Sequence, residues 1–330
     1  MRIAVIGAGA VGGAVAALLA GAGHEVEVTA RGAHLDAIRE RGIRLRGAWG
    51  EAIAAVTAAE RLSAPAELVI VTTKAQDAVA AITDNLAFVG DSPMLVVQNG
   101  LDGIANARAA APGARVVGGL AMFAASYLSP GEVTITTPNP TFIGGDDDAA
   151  AREFERVLSP VLPVRRIDDF ASAQWTKLLI NQVNALPAVT GLSVQEVISH
   201  SGLRRVLVQS MREGVLAGHA LGVRFAKLGG LGDASLSAFA RAPYWAAQQL
   251  PLLMRRRMGA VPNPGSTLQS IRRDQPSEID YLNGAVVAAG ERGGVATPIN
   301  ALIVRLVHEV ESSKAFVVPE VVVARAATAS

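Results

Sequence analysis

Residues 2–6, Arg-Ile-Ala-Val-Ile, make a short β-branched run that passes directly into Gly7-Ala8-Gly9-Ala10-Val11-Gly12 and an alanine- and leucine-rich stretch reaching about Ala22. The pattern predicts strand, glycine turn and helix in succession. After Gly23, the segment His24-Glu25-Val26-Glu27-Val28-Thr29-Ala30 alternates polar and apolar positions and ends at Arg31, which predicts a second strand and completes a βαβ unit. Further strands are predicted at 68–73, 94–98, 116–122 and 133–137, with helices near 75–82 and 104–110, all in one large doubly wound sheet. From about Asp168 the pattern changes to long alanine, leucine and valine stretches at helical spacing, with few β-rich runs before Phe316. The expected architecture is an α/β Rossmann domain over residues 1–168 followed by an all-α domain over 169–330.

Composition narrows the function classes. The chain has 330 residues, room for two domains with their own cores, and 50% of them are hydrophobic against 18% charged. A net charge of +1, scattered basic residues apart from Arg255, Arg256 and Arg257, and few aromatics argue against a nucleic-acid partner. There is no cysteine, and His24, His34, His200, His219 and His308 never fall at His-x-x-x-His spacing, so no metal site is expected. Met1-Arg2 before an apolar stretch has the outline of a secretory signal, but the interrupting glycines fit a ligand loop better. No other run is long enough to span a bilayer, and a cytoplasmic location is expected.

The G-x-G-x-x-G between strand and helix is the arrangement that binds a dinucleotide. Gly7 permits the turn, Gly9 lets the backbone approach a pyrophosphate, and Gly12 lets helix pack on strand, while Ala8, Ala10 and Val11 complete the cradle. Where an NAD enzyme places Asp or Glu for the ribose 2′-hydroxyl, this chain has Arg31, whose planar fork suits a 2′-phosphate; the expected cofactor is NADP(H). Two strand-end loops, Thr72-Thr73-Lys74 and Gln98-Asn99-Gly100, make Lys74 and Asn99 site candidates, with a cap or turn role as the alternative for each. In the second half, Lys177, Asn181 and Asn184 stand at i, i+4 and i+7, an amine and two amides on one helix face among apolar residues. A second polar cluster spans Ser266 to Arg273 and Ser277 to Gly284; there Ser277 and Asp280 have capping-box spacing, and Glu278 suits the positive end of a helix.

Taken in order, the N-terminal glycine motif, Thr72-x-Lys74, Gln98-Asn99-Gly100, Trp175-x-Lys177-x-x-x-Asn181, Ser266-x-x-Gln269 and Glu278-Ile279-Asp280-Tyr281-x-Asn283-Gly284 resemble the 2-dehydropantoate 2-reductase (ketopantoate reductase) family over most of the chain. The resemblance implies NADPH-dependent reduction of 2-dehydropantoate to (R)-pantoate, a step toward pantothenate and coenzyme A. It also implies a cleft between the Rossmann domain and a helical domain like that of 6-phosphogluconate dehydrogenase, and a homodimer. Lys177 is then the general acid, and Glu278 its acidic partner, holding the substrate hydroxyl beside the cofactor. Asn181, Asn184 and Ser266 are substrate contacts, and Asn99 and Lys74 touch cofactor and substrate. One departure stands out: the family commonly has Asn-Pro eight residues after the lysine, and that position here is Ala185, with Asn184 one residue earlier as the candidate replacement. The departure leaves open a reductase of another branched 2-oxo acid or of an imine. A non-catalytic NADP-binding sensor is the alternative from a different class, against which the lysine, asparagine, serine and glutamate set argues. The stretch 229–263, rich in Gly, Ala, Gln and Pro, is a candidate subunit interface.

Overall fold

A computed structural model describes residues 1–259 and 261–329, so Ala260 of the candidate interface stretch and Ser330 of the expected second domain lie outside the described residues. The chain divides into two compact units, Met1–Ala171 and Ser172–Ser330.

The first unit holds strands β1 (Arg2–Ile6), β2 (Glu25–Thr29), β3 (Ile43–Gly47), β4 (Ala52–Ala54), β5 (Thr57–Ala59), β6 (Leu68–Val71), β7 (Pro93–Val97), β8 (Arg115–Ala121), β9 (Ala124–Ser129), β10 (Glu132–Thr137), β11 (Thr141–Gly144) and β12 (Val164–Arg166). Its helices are α1 (Ala10–Gly21), α2 (Gly32–Arg41), α3 (Ala75–Asp84), α4 (Leu86–Val89), α5 (Gly103–Ala110) and α6 (Asp148–Leu158). Eight strands form one sheet in the order β12-β11-β8-β7-β6-β1-β2-β5, parallel except between β11 and β8. Past their first residues the central strands β1, β6, β7 and β8 are apolar throughout because both faces are covered. Ile3, Val5, Leu68, Ile70, Leu95 and Val97 enter one core, and the alternate residues Ala4, Ile6, Val69, Val71, Met94 and Val96 enter another on the opposite face.

The strand at 133–137 is present as β10, but it does not join the large sheet. It pairs antiparallel with β9 and parallel with β3 in a separate four-stranded sheet, β4-β3-β10-β9. Val133, Ile135, Ile43 and Leu45 of that sheet belong to the same core as α1, which is thereby covered on two sides. Such a helix needs small residues all round rather than one apolar stripe, and Ala14, Ala16 and Ala17 are buried accordingly.

The second unit is helical: α7 (Phe170–Asn181, which crosses the boundary), α8 (Ala185–Thr190), α9 (Val194–Ser199), α10 (Ser201–Ala220), α11 (Asp233–Arg241), α12 (Tyr244–Ala247), α13 (Gln249–Arg257), α14 (Gly265–Arg272), α15 (Ile279–Gly293), α16 (Pro298–Ser313) and α17 (Pro319–Ala329). No described helix is long and apolar enough to cross a membrane. Inside lies a polar knot. Asn283 Nδ2 donates to Gln182 Oε1 and Asn300 Oδ1, both at 2.9 Å, and Ser210 Oγ lies within reach of the same two oxygens. Glu213 on α10 accepts from Ile299 and Asn300 backbone N–H, each at 2.9 Å, and so caps α16 from outside. Burial pushes the Glu213 carboxyl above its usual range, against these hydrogen bonds.

At the start of α15, Ser277 N–H donates to Glu311 Oε1 at 2.7 Å, and His308 bridges Glu311 at 2.9 Å and Asp280 at 3.0 Å. Both ring nitrogens face carboxylates, so the bridge needs an imidazolium. Burial opposes the charge, but the hydrogen bonds and charges of Asp280 and Glu311 outweigh it and raise the His308 pKa above 6.5. A raised folded-state value contributes stability below the unfolded pKa and loses it as pH rises through the folded one. His308→Gln is expected to lower Tm at about pH 5.5 by roughly 1–3 °C, the scale of a partly exposed ion pair, with the gap closing by about pH 9. Thermal melts of both proteins at the two pH values check this; an equal gap at both would refute it.

Candidate active site

The glycine loop is held by packing. Gly7 has φ +101°, and a Cβ there would stand 2.8 Å from Thr73 Cγ2 and from Thr73 N. A Cβ at Gly12 would stand 2.1 Å from Gly7 O and 2.2 Å from Thr72 Oγ1, which itself donates to Gly7 O at 2.6 Å. Gly9 differs: a Cβ there would meet nothing within 4 Å. Its missing side chain therefore leaves open space at the N-terminus of α1, where no side chain caps the helix and no acidic residue stands in the first turn. Uncapped N–H groups at Ala10 and Val11 beside an open glycine suit a phosphate.

The other first-unit candidates stand on neighbouring strand ends. Arg31 is exposed and directly precedes α2, Lys74 is half-buried and directly precedes α3, and Asn99 is half-buried after β7. Since β7, β6, β1 and β2 are adjacent and parallel, their carboxyl ends carry Asn99, Lys74, the glycine loop and Arg31 side by side. The point where the chain's winding reverses lies between β6 and β1, the usual ligand crevice of such sheets. Two buried oxygens in the loops after β6 and β7, Thr73 Oγ1 and Gln98 Oε1, have no hydrogen-bond partner among the described residues, while Gln98 Nε2 ties the loops together through Thr73 O at 2.8 Å. Both oxygens lie in the loops already singled out by their polar residues, but neither residue was itself a sequence candidate. Orphaned acceptors, an open glycine and a free helix end together fit a dinucleotide.

In the second unit Lys177 is half-buried on α7, and desolvation lowers its pKa to about 8. Asn181, 7% exposed, follows one turn later. The expected single helix through Asn184 is interrupted: α7 ends at Asn181, and Gln182–Asn184 form one turn of 3₁₀-helix. Pro187 supplies the reason, because it has no N–H to give Val183 O and its ring would collide with that carbonyl in a continuous α-helix. Asn184 thus leaves the α-helical phase and packs against the start of α14, where a Cβ at Gly265 would stand 2.8 Å from its Oδ1. Ser266, exposed, is the next residue of α14.

Glu278 is half-buried and immediately precedes α15. The capping-box reading of Ser277 and Asp280 does not hold. Ser277 Oγ accepts from Ile279 N–H at 3.3 Å, and Asp280 is turned to His308. The Asn283 to Gln182 hydrogen bond fixes α15, and so Glu278, to the turn that follows Asn181. Among the described residues no group of three or more His, Asp or Glu is placed to hold a metal ion.

Two family profiles match the chain: one described as ketopantoate reductase PanE/ApbA over residues 3–147, the other as its C-terminal part over 169–311. A 2-dehydropantoate 2-reductase of Mesorhizobium japonicum is 30% identical, with 93% of this chain and 97% of the relative aligned. One from Pyrococcus horikoshii is 26% identical over 94% of this chain and 98% of its own length. Among solved structures, a PanE/ApbA family ketopantoate reductase from Ralstonia eutropha superposes with a TM-score of 0.81 at 27% identity, covering 95% of this chain and 99% of its own. D-mandelate dehydrogenase, solved with NADH and anilino(oxo)acetate, shares the fold at a TM-score of 0.79 and 21% identity, covering 95% of this chain and 99% of its own.

The two glycines of the loop should separate packing from binding. Gly12→Ala is expected to cost about 2 kcal/mol or more of stability through overpacking, whereas Gly9→Ala should stay within about 1 kcal/mol of the native protein. Gly9→Ala should nonetheless weaken nucleotide binding at least tenfold, because its methyl group enters the phosphate space. Urea denaturation and calorimetric titration with NADP⁺ measure the two effects; full affinity in Gly9→Ala would remove the phosphate from this loop.

Proposed function

The chain belongs to the ketopantoate reductase family, and from that membership we propose that it reduces 2-dehydropantoate to (R)-pantoate with NADPH as reductant. The observation that carries the reading is Lys177, an amine whose burial brings its pKa to about 8, one turn from Asn181 on the helix that opens the second unit. Near neutral pH such a group is still charged yet gives up its proton readily.

When bound, a reduced nicotinamide supplies the hydride for the ketone carbon. Lys177 Nζ gives its proton to the ketone oxygen and, before that, stabilises the charge growing there. Glu278 accepts from the substrate hydroxyl, Asn181 and Ser266 bind hydroxyl and carboxylate, and the glycine loop from Gly7 to Gly12, with Lys74 and Asn99, holds the cofactor. Arg31 binds the 2′-phosphate; no acidic side chain stands at the end of β2 to accept a ribose hydroxyl in its place.

Asn184 serves where Ala185 departs from the family pattern. Three residues of 3₁₀-helix advance about 6 Å, as do four residues of α-helix, so Asn184 reaches the axial level of a helical residue eight beyond Lys177. The turn offsets the missing position, which favours 2-dehydropantoate over another branched 2-oxo acid. We also propose a cytoplasmic homodimer, for which exposed Trp245, Leu253 and Val261 in the 229–263 stretch offer apolar surface.

NADPH oxidation by the purified protein with 2-dehydropantoate, beside a panel of other 2-oxo acids and NADH, tests the assignment. Selective turnover of 2-dehydropantoate is expected; selective turnover of another acid reassigns the substrate, and no turnover despite tight NADPH binding favours the sensor. Lys177→Met should lose about 10²–10⁴-fold in kcat while NADPH affinity changes little. Because the acid must be protonated, reduction should fall as pH rises through about 8 and the reverse oxidation should rise over the same interval. A reduction rate flat across that interval would take the proton transfer away from Lys177. Arg31→Asp should weaken NADPH at least tenfold more than NADH.

A further inference from the structure

His34 is absent from every role so far, yet it touches the dinucleotide loop. Its Nε2 lies 2.6 Å from Ala8 O, the carbonyl between Gly7 and Gly9, and its Nδ1 lies 2.9 Å from Gly131 N in the turn joining β9 and β10. A carbonyl only accepts and an amide N–H only donates. The two partners therefore fix the ring as the neutral tautomer with its proton on Nε2. We propose that His34 is a positioning residue for cofactor binding, holding Ala8 so that the loop presents its N–H groups to the pyrophosphate without reorganising. The inference rests on the reading of this loop as a dinucleotide site.

The surroundings support this role. Gly7 N–H donates to Thr29 Oγ1 at 2.9 Å, Ala8 N–H to Thr29 O at 2.8 Å, and Gly7 O accepts from Thr72 Oγ1 at 2.6 Å. These bonds fix the loop to β2 and β6, and the His34 bond adds a tie to the second sheet. The imidazole also packs on the Tyr127 ring of β9, centroid to centroid 4.3 Å. The charged residues of its own helix are Asp36, Arg39, Glu40 and Arg41, with Arg31 at the N-cap, and Arg39 donates to Ala58 O. On β10, Glu132 is paired with Arg44 and Arg46 of β3. Burial lowers the imidazole pKa below 6.5, with the Ala8 bond opposing in part, so the ring is neutral at pH 7. Protonation would point a second N–H at the Gly131 amide and remove its acceptor, loosening the tie.

Calorimetric titration of native, His34→Gln and His34→Phe proteins with NAD⁺ and NADP⁺ tests the proposal. NAD⁺ is included because the 2′-phosphate of NADP⁺ titrates near pH 6 and would mask the imidazole. Native affinity for NAD⁺ should be level from about pH 8 to 6.5 and weaken toward about pH 5. His34→Phe, which keeps the ring but not the hydrogen bonds, should bind roughly tenfold more weakly at neutral pH, and its KM for NADPH should rise by more than kcat falls. His34→Gln, with one donor and one acceptor, should recover part of the affinity and show no weakening below pH 6.5. Native-like affinity in His34→Phe, or an unchanged acid limb in His34→Gln, overturns the proposal and leaves the dinucleotide site standing. A native protein that binds neither nucleotide overturns both. Should His34→Phe fail to fold, the acid limb of His34→Gln decides alone.

Discussion

The contact on which the first unit depends is the approach of Gly12 to the Gly7 carbonyl and the Thr72 hydroxyl. No side chain fits at Gly12, since a Cβ would sit 2.1 Å from the carbonyl oxygen. That closeness sets α1 directly on β1 and β6, aims its uncapped end at the space over Gly9, and leaves its far side for the second sheet. The ligand loop is therefore placed by packing before any ligand contact is made. For the proposed phosphate contact this is preorganisation in a literal form: packing alone leaves the uncapped N–H groups beside the open space at Gly9.

The second unit obeys the opposite economy. The chemistry proposed for it calls for a desolvated amine, and its interior carries amides and a carboxylate that an apolar bundle would do without. A lysine whose pKa falls from 10.5 to about 8 is disfavoured as a cation in the folded state, by about 2 kcal/mol once its partial exposure is discounted. The penalty is present in full below about pH 8 and is relieved as pH rises toward the unfolded value of 10.5. Against it stands the knot of Gln182, Ser210, Glu213, Asn283 and Asn300, which is specific in its bonding. It locks the 3₁₀ turn after Asn181 to α10, α15 and α16. Such a network contributes little net stability, but its geometry gives the helices one register, and the register sets where Lys177, Asn181 and Glu278 stand.

What could be read from the sequence follows the range of the forces involved. The β1 loop was legible because strand, glycines and helix are adjacent in sequence and each residue has a local task. The doubly apolar strands of the large sheet were legible for the same reason. Strand β10 was recognisable, but its sheet was not, since partner choice depends on β3, some ninety residues earlier by pairs such as Leu45 and Val133. Strand β3 itself, Ile-Arg-Leu-Arg-Gly, carries the period-two alternation of a half-buried strand, a weaker signal than the longer apolar runs around it. The break before Asn184 did have a signal, Pro187, which a count of i, i+4 and i+7 positions ignores. His34 had none: its partners Ala8 and Gly131 lie 26 and 97 residues away, and only the fold brings them to one ring.

The position of His34 also bears on the discrimination between cofactors proposed for Arg31. Arg31 directly precedes α2, and His34 stands three residues on, on the same side of the first turn. One end of that turn carries the exposed guanidinium, and the other holds Ala8 and Gly131 through a neutral ring. An exposed arginine on a free loop would lose much of its phosphate affinity to its own disorder. Here its backbone is tied, through His34, to the same loop proposed to receive the pyrophosphate. The two elements proposed to bind phosphate are thus referenced to each other by a single helical turn, and the proposed selectivity for a 2′-phosphate rests on that turn as much as on the charge it displays.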